Sequence, residues 1–114
     1  MEIKAEDYRI TYNADEAQIT CSGNFRLQGS DYAPIVDILN QAADAKPEQL
    51  TLDLRELKFL NSSGINMLSK FVIRIRKHGV SGMLVRGSNA YAWQGKSLKN
   101  LQRLKKDLVL ELED

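Results

Sequence analysis

Between Ile65 and Ile75 the apolar residues Ile65, Leu68, Phe71, Val72 and Ile75 recur at intervals of three and four. That spacing places them on one stripe of a helix. The stripe predicts a helix that begins near Ser63, runs to the basic end Arg76-Lys77-His78 and stops at Gly79. Just upstream, Leu50-Thr51-Leu52-Asp53-Leu54 alternates with period two and predicts a strand. Phe59-Leu60-Asn61-Ser62-Ser63-Gly64 reads as the turn between strand and helix. Tyr8–Tyr12 and Ala17–Cys21 also alternate, on either side of Asn13-Ala14-Asp15-Glu16, and predict a hairpin. Its second strand continues to Phe25 and Leu27 after a kink at Gly23. A helix is expected from Gly29-Ser30-Asp31, with Pro34 in its first turn and Ile35, Ile38, Leu39 and Ala42 facing inward. It stops before Lys46-Pro47, because a proline disfavours helix at the preceding residue. Met83-Leu84-Val85 predicts a short buried strand, and Ser88–Gly95 a loop holding Tyr91 and Trp93. A third helix follows, with Leu98, Leu101 and Leu104 inward and Lys96, Lys99, Arg103 and Lys106 outward. Leu108–Leu112 predicts the last strand.

From residue 30 onward strands and helices alternate, which points to an α/β fold: a mixed, mostly parallel sheet with helices packed on it. The N-terminal β-hairpin supplies an antiparallel edge. A chain of 114 residues can bury one core, so residues 1–114 are expected to form a single domain. Apolar content of 43% and charged content of 27% are those of an ordinary globular protein. No apolar run approaches the roughly 18–20 residues of a membrane span, and Met1–Asp7 is too polar for a secretory signal. The single Cys21 permits no internal disulfide. A cytoplasmic protein is the expectation.

The net charge of +1 hides an asymmetry. Residues 1–57 hold five Lys/Arg and eleven Asp/Glu, a net of −6, whereas residues 58–114 hold eleven and four, a net of +7. Halves of opposite sign are either solvated helix faces or complementary surfaces, within the molecule or toward a partner.

The candidate chemistry lies where the predicted helix starts. Two adjacent serine hydroxyls, Ser62 and Ser63, stand where a helix leaves backbone N–H groups unpaired and carries a partial positive charge. Such a place suits an added phosphate. A plain N-cap role for either serine is the competing reading, worth about 1 kcal/mol.

The run LTLDLRELKFLNSSGINMLSKFVIRIRKHG resembles a STAS domain of the anti-sigma-factor-antagonist class of bacterial regulators. The family pattern is an apolar strand with an Asp, then Asp-Ser-Ser-Gly, then a helix ending in a basic residue and Gly. Asp53 fits the strand Asp and Ser62-Ser63-Gly64 fits the Ser-Ser-Gly; Asn61 departs from the Asp. The wording around Asn61 looks most like single-domain, cyanobacterial-type members. The resemblance implies the mixed sheet described above and a partner-switching role in signal transduction and transcription regulation. It maps the phosphoacceptor onto Ser62. The implied partners are proteins: a serine kinase that doubles as an anti-sigma-type regulator, and a serine phosphatase. Contact with them is expected from Asn61, Ser63, Gly64, Asn66, Ser69, Lys70 and Ile73. The last of these falls on the helix away from the apolar stripe. No membrane partner and no enzymatic activity of its own are implied.

Two further readings stay open: a constitutive STAS scaffold without a switch, for which Asn61 would be the reason, and a nucleic-acid-binding domain using the basic second half. Other signals are weak. Gly95-Lys96-Ser97 resembles the end of a phosphate-binding loop, but Ala90 occupies the position of its first glycine. His78 has no second His or Cys nearby for a metal site, and no nucleophile–base–acid set can be assembled. No catalytic residue, metal or cofactor is expected. Asn61-Ser62-Ser63 also fits the N-glycosylation pattern, an accidental match in a chain without a secretory signal. Tyr91 and Trp93 read as packing groups.

Overall fold

A computed structural model describes the whole chain, Met1–Asp114. Six strands, β1 (Glu2–Lys4), β2 (Tyr8–Asn13), β3 (Gln18–Phe25), β4 (Gln49–Leu60), β5 (Gly82–Ser88) and β6 (Val109–Glu113), form one sheet in sequence order. β1, β2 and β3 pair antiparallel, and β3 through β6 pair parallel. The helices α1 (Ala33–Asp44), α2 (Ser62–Lys77) and α3 (Ala92–Leu104) are the three parallel crossovers. Each crossover advances one strand in the same direction, so their common hand places all three helices on one face of the sheet.

The core lies between that face and the helices. Ile10, Ile19, Leu50, Leu52, Leu54, Met83 and Val85 from the sheet meet Ile35, Leu39, Leu68, Val72, Ile75 and Leu98 from the helices, all buried. The opposite face carries the alternate residues, with Thr11 beside Thr20, Thr51 beside Gln18 and Arg86 beside Asp53.

The predicted elements are present with shifted limits. β1 was not expected; at three residues it is too short to show a period, and it is held by pairing with β2. Gly23 does mark a kink: the register against β4 slips on either side of it, and its φ is +85°. A Cβ there would lie 2.2 Å from the Asp7 carbonyl oxygen, so this close approach at a positive φ requires glycine. A 3₁₀ turn over Gly29–Tyr32 precedes α1. Trp93 lies in the first turn of α3 rather than in a loop. Ile65 and Leu104, expected inside, are half-buried, because they lie at the flanks of their stripes.

The largest shift is in β4, which continues to Leu60 instead of turning at Phe59. β5 accompanies it only as far as Asp53, so beyond that point Leu54 and Leu57 have no strand beside them on the β5 side. Side chains from the start of α3 replace it. Buried Gln94 donates its Nε2 to the Leu54 oxygen at 2.7 Å and the Leu57 oxygen at 3.0 Å, and its Oε1 accepts from the Ser88 N–H at 2.8 Å. The Trp93 indole donates to the same Leu57 oxygen at 3.0 Å. No buried side-chain nitrogen or oxygen is left without a partner. The outcome is a rigid arm of β4 that carries the serine turn past the end of β5.

Asp53 is only 5% exposed although it lies on the helix-free face. Burial pushes its pKa up, but hydrogen bonds from the Arg55 side chain and N–H, with the charges of Arg55 and Arg86, hold it below the ordinary carboxylate value. A carboxyl whose pKa is lowered by folding stabilises the fold above its unfolded pKa and stops doing so as pH falls through the folded value. Urea unfolding should therefore show Asp53→Asn less stable than wild type at neutral pH. The gap should narrow below about pH 4.

Candidate functional site

The serine turn is held by residues about thirty positions upstream in the chain. α2 starts at Ser62, and its N-cap is Asn61, whose backbone is extended at φ −81° and ψ 175°. The Asn61 Oδ1 accepts from the Gly64 N–H at 2.9 Å, the usual capping bond. The same oxygen accepts from the Tyr32 hydroxyl at 2.8 Å, and the Asn61 Nδ2 donates to the Leu27 carbonyl at 2.7 Å. A fourth bond runs from the Gly29 N–H to Ser63 Oγ at 3.2 Å. The segment from Leu27 to Tyr32 is thus fastened to the start of α2. Burial raises the Tyr32 phenol above its ordinary pKa, against the pull of the Leu27 backbone, so it remains a protonated donor.

This arrangement separates the two serines. Ser63 is half-buried and engaged with Gly29, whereas Ser62 is exposed and its hydroxyl makes no hydrogen bond within the protein. Neither serine is the cap; Asn61 takes that role because its amide satisfies Leu27 as well. The N–H groups of Ser62 and Ser63 have no backbone partner, as the geometry of a helix start dictates. The first turn of α2 holds no acidic residue. A phosphate on Ser62 would meet free N–H donors and the positive end of α2, with no carboxylate in that turn to repel it.

Gly64 is buried and offers no surface to a partner, contrary to the expectation from sequence. A Cβ there would lie 2.3 Å from Leu60 Cδ1 and 2.9 Å from the Tyr32 hydroxyl, so glycine lets α2 settle onto the turn. Asn61 is half-buried and committed to its three bonds. The other expected contact residues fall on one outer ridge of α2. Ser62, Asn66, Lys70, Ile73 and Lys77 follow at intervals of three and four. Ser69 lies beside them, its hydroxyl turned back to the Ile65 carbonyl at 3.0 Å. Ile73 is half-buried rather than fully outward. On the side toward α1, a cleft lined by Gly29, Tyr32, Val36, Ser63, Met67 and Lys70 runs on past Phe71 to Arg74. Beside the turn, Arg26 lies over the Phe59 ring, 5.3 Å from its centroid, and Phe59 is 39% exposed.

Other reactive groups stay apart. Burial, with the Asp53 charge second, pushes the Cys21 thiol up to about 12, so it carries no thiolate at neutral pH. His78 pairs with Asp44 at 2.9 Å, which also takes Arg74. No three His, Cys, Asp or Glu side chains lie together as a metal site would need, and no helix is long and apolar enough to cross a membrane.

The sequence model for the STAS domain matches residues 32–92, from Tyr32 through the central strand and α2 to the start of α3. The chain belongs to the STAS family. A comparison with curated proteins finds no match. Among solved structures the STAS chain is similar to three from Pseudomonas aeruginosa. Apo-SiaC aligns with a TM-score of 0.75 at 12% identity, over 100% of this chain and 98% of that one. Another SiaC structure aligns at 0.71 and 15%, over 100% and 95%. The structure of the diguanylate cyclase SiaD in complex with its activator SiaC aligns at 0.68 and 14%, over 99% of both chains. At such identities the likeness is one of fold: the six-stranded mixed sheet and three helices are a STAS architecture.

Asn61 is where this STAS chain departs from the Asp-Ser-Ser-Gly pattern, and the geometry supplies a reason. A carboxylate could cap α2 and accept from Tyr32, but it could not donate to the Leu27 carbonyl and would set two acceptors against each other. Asn61→Asp should therefore cost about 1–3 kcal/mol of stability, read from urea unfolding at neutral pH. An aspartate variant as stable as wild type would show that the Leu27 bond holds nothing.

Proposed function

We propose that the chain is a regulatory protein-binding module of partner-switching type, controlled by phosphorylation of Ser62. The observation that carries the proposal is the division of labour at the start of α2. Ser63 is tied to Gly29 and Asn61 caps the helix, which leaves Ser62 exposed and free beside unpaired N–H groups. Unphosphorylated, the module binds its partner over the turn and the α2 ridge of Asn66, Ser69, Lys70 and Ile73. Phosphorylation by a partner serine kinase of anti-sigma type adds about −1.5 to −2 charge at pH 7. That added charge and bulk repel the bound surface. A serine phosphatase restores the binding form. The module is then a cytoplasmic substrate of enzymes, without a catalytic site of its own, and its output is signal transduction toward transcription. Membership in the STAS family supports a protein-binding role, and SiaC, of the same fold, is the activator of another protein, SiaD.

The test incubates the purified chain with its kinase partner and ATP and maps the modified residue by mass spectrometry. Phosphate is expected on Ser62. Ser62→Ala should remove incorporation while leaving the fold and binding intact, and Ser62→Asp should weaken binding in part. Ser63→Ala should still be phosphorylated, with stability lowered by about 0.5–1.5 kcal/mol for the lost bond to Gly29. Phosphate on Ser63 alone would move the acceptor. Binding without phosphate on either serine would leave a constitutive scaffold.

A further inference from the structure

From Leu57 to Lys106 the chain carries eleven Lys and Arg and not one Asp or Glu. This stretch contains α2, β5 and α3. Only Arg74, Arg86 and Lys105 of the eleven find a carboxylate, on Asp44, Glu111 and Asp107 respectively. The remaining eight are exposed: six on α2 and α3, Lys106 just past α3, and Lys58 on β4. By contrast, α1 carries Asp37 and Asp44 and no cation.

Helix stability alone does not account for this. Cations in the last turn of a helix complement its dipole, which covers Arg74, Arg76 and Lys77 in α2 and Arg103 in α3. Lys96 and Lys99 lie outside the last turn of α3, where the dipole does nothing for them. Neither helix has an acidic residue in its first turn. Lys99 and Arg103 are unpaired like charges four residues apart on one helix face, an arrangement that weakens a helix; Lys70 and Arg74 repeat it, with Asp44 offsetting Arg74. The two neighbouring helices thus hold a one-signed surface, and on α3 helix stability does not explain it.

The surface is not purely ionic. Half-buried Ile73 sits on the outer ridge of α2 between Lys70 and Lys77. Ile65 and Trp93 close a small apolar cleft over Leu60, Leu68 and Leu101 in the seam between α2 and α3. Cations around apolar side chains make the rim and centre of a protein interface, whereas contact with a nucleic-acid backbone would have no use for the isoleucines.

We infer that the outer faces of α2 and α3 dock an acidic, partly apolar surface of a partner protein. The inference rests on the proposed switch for its location and adds the chemistry of the partner. It also gives the phosphate a second effect. A dianion on Ser62, at the head of the α2 ridge, would set negative charge against the partner's carboxylates and neutralise part of the cationic face.

The test is an NMR titration of the unphosphorylated, isotope-labelled chain with four probes at near-physiological salt. They are a helical peptide of Glu and Leu, a poly-L-glutamate of equal charge, a DNA duplex, and vesicles containing phosphatidylglycerol. The amphipathic acidic peptide should bind tightest. Its shifts should fall on Asn66, Lys70, Ile73, Lys96, Lys99 and Arg103. A Lys96→Glu/Lys99→Glu variant that unfolds at the wild-type urea concentration should bind that peptide about tenfold more weakly. Ile73→Ser should erase the peptide's advantage over poly-L-glutamate. Equal binding of peptide and poly-L-glutamate, tighter binding of the duplex or the vesicles, or shifts elsewhere would each overturn the inference. The titration needs no kinase. Failure here with Ser62 still phosphorylated rejects only the docking surface, and success here with Ser62 unmodified by its kinase rejects only the switch.

Discussion

One side chain fixes the geometry on which the site depends. Asn61 gives one oxygen to both the first turn of α2 and the Tyr32 hydroxyl, and gives its amide to the Leu27 carbonyl. An asparagine is suited to this because it is donor and acceptor at once. These bonds join the end of β4, the beginning of α2 and the segment before α1. The Gly29 bond to Ser63 completes the fastening and occupies one serine. The free state of Ser62 is thus a consequence of what its neighbours on either side are holding.

The fastening works because the platform under it is stiff. β4 outruns β5, and an overhanging strand would leave carbonyls unpaired against the helix layer. Gln94 and Trp93 satisfy them from α3. On the opposite side, β3 follows β4 to Phe25 and Leu60, through a register slip that Gly23 permits. The turn is therefore supported from three elements, while the ridge of α2 faces outward with few internal partners. Rigidity at the base and freedom at the surface are what a recognition site requires.

The architecture was legible in the sequence where the periods were long. The α2 stripe from Leu68 to Ile75, the alternation at Leu50–Leu54 and the inner face of α1 gave the order of elements and most of the core. Short or locally ambiguous segments were less legible. β1 exists through pairing rather than pattern, and the far half of β4, Arg55–Leu60, has no clean period because bulges interrupt it. Ser62 and the ridge residues could be named from the resemblance to the family. The partners that hold them could not. Leu27, Gly29 and Tyr32 lie about thirty residues away, and nothing local in their spacing marks them. The meaning of Asn61 depended on them too: from the sequence it was only a missing aspartate, and in the fold it is the residue that donates to Leu27. The absence of carboxylates across α2 and α3 was visible as a charge imbalance. Its arrangement on two adjacent helices needed the topology.

Amide hydrogen exchange measured by NMR tests the central claim, that Asn61 and Ser63 lock the turn and leave Ser62 free. The Gly64 and Gly29 amides, each held by a side chain, should be protected, while the Ser62 and Ser63 amides exchange at nearly the rate of open chain. Asn61→Ala should release Gly64 and, through the loosened Leu27 segment, Gly29 as well, with the β4 amides of Leu50–Leu54 unchanged. Protection of Gly29 and Gly64 that survives the loss of the Asn61 side chain would contradict this account.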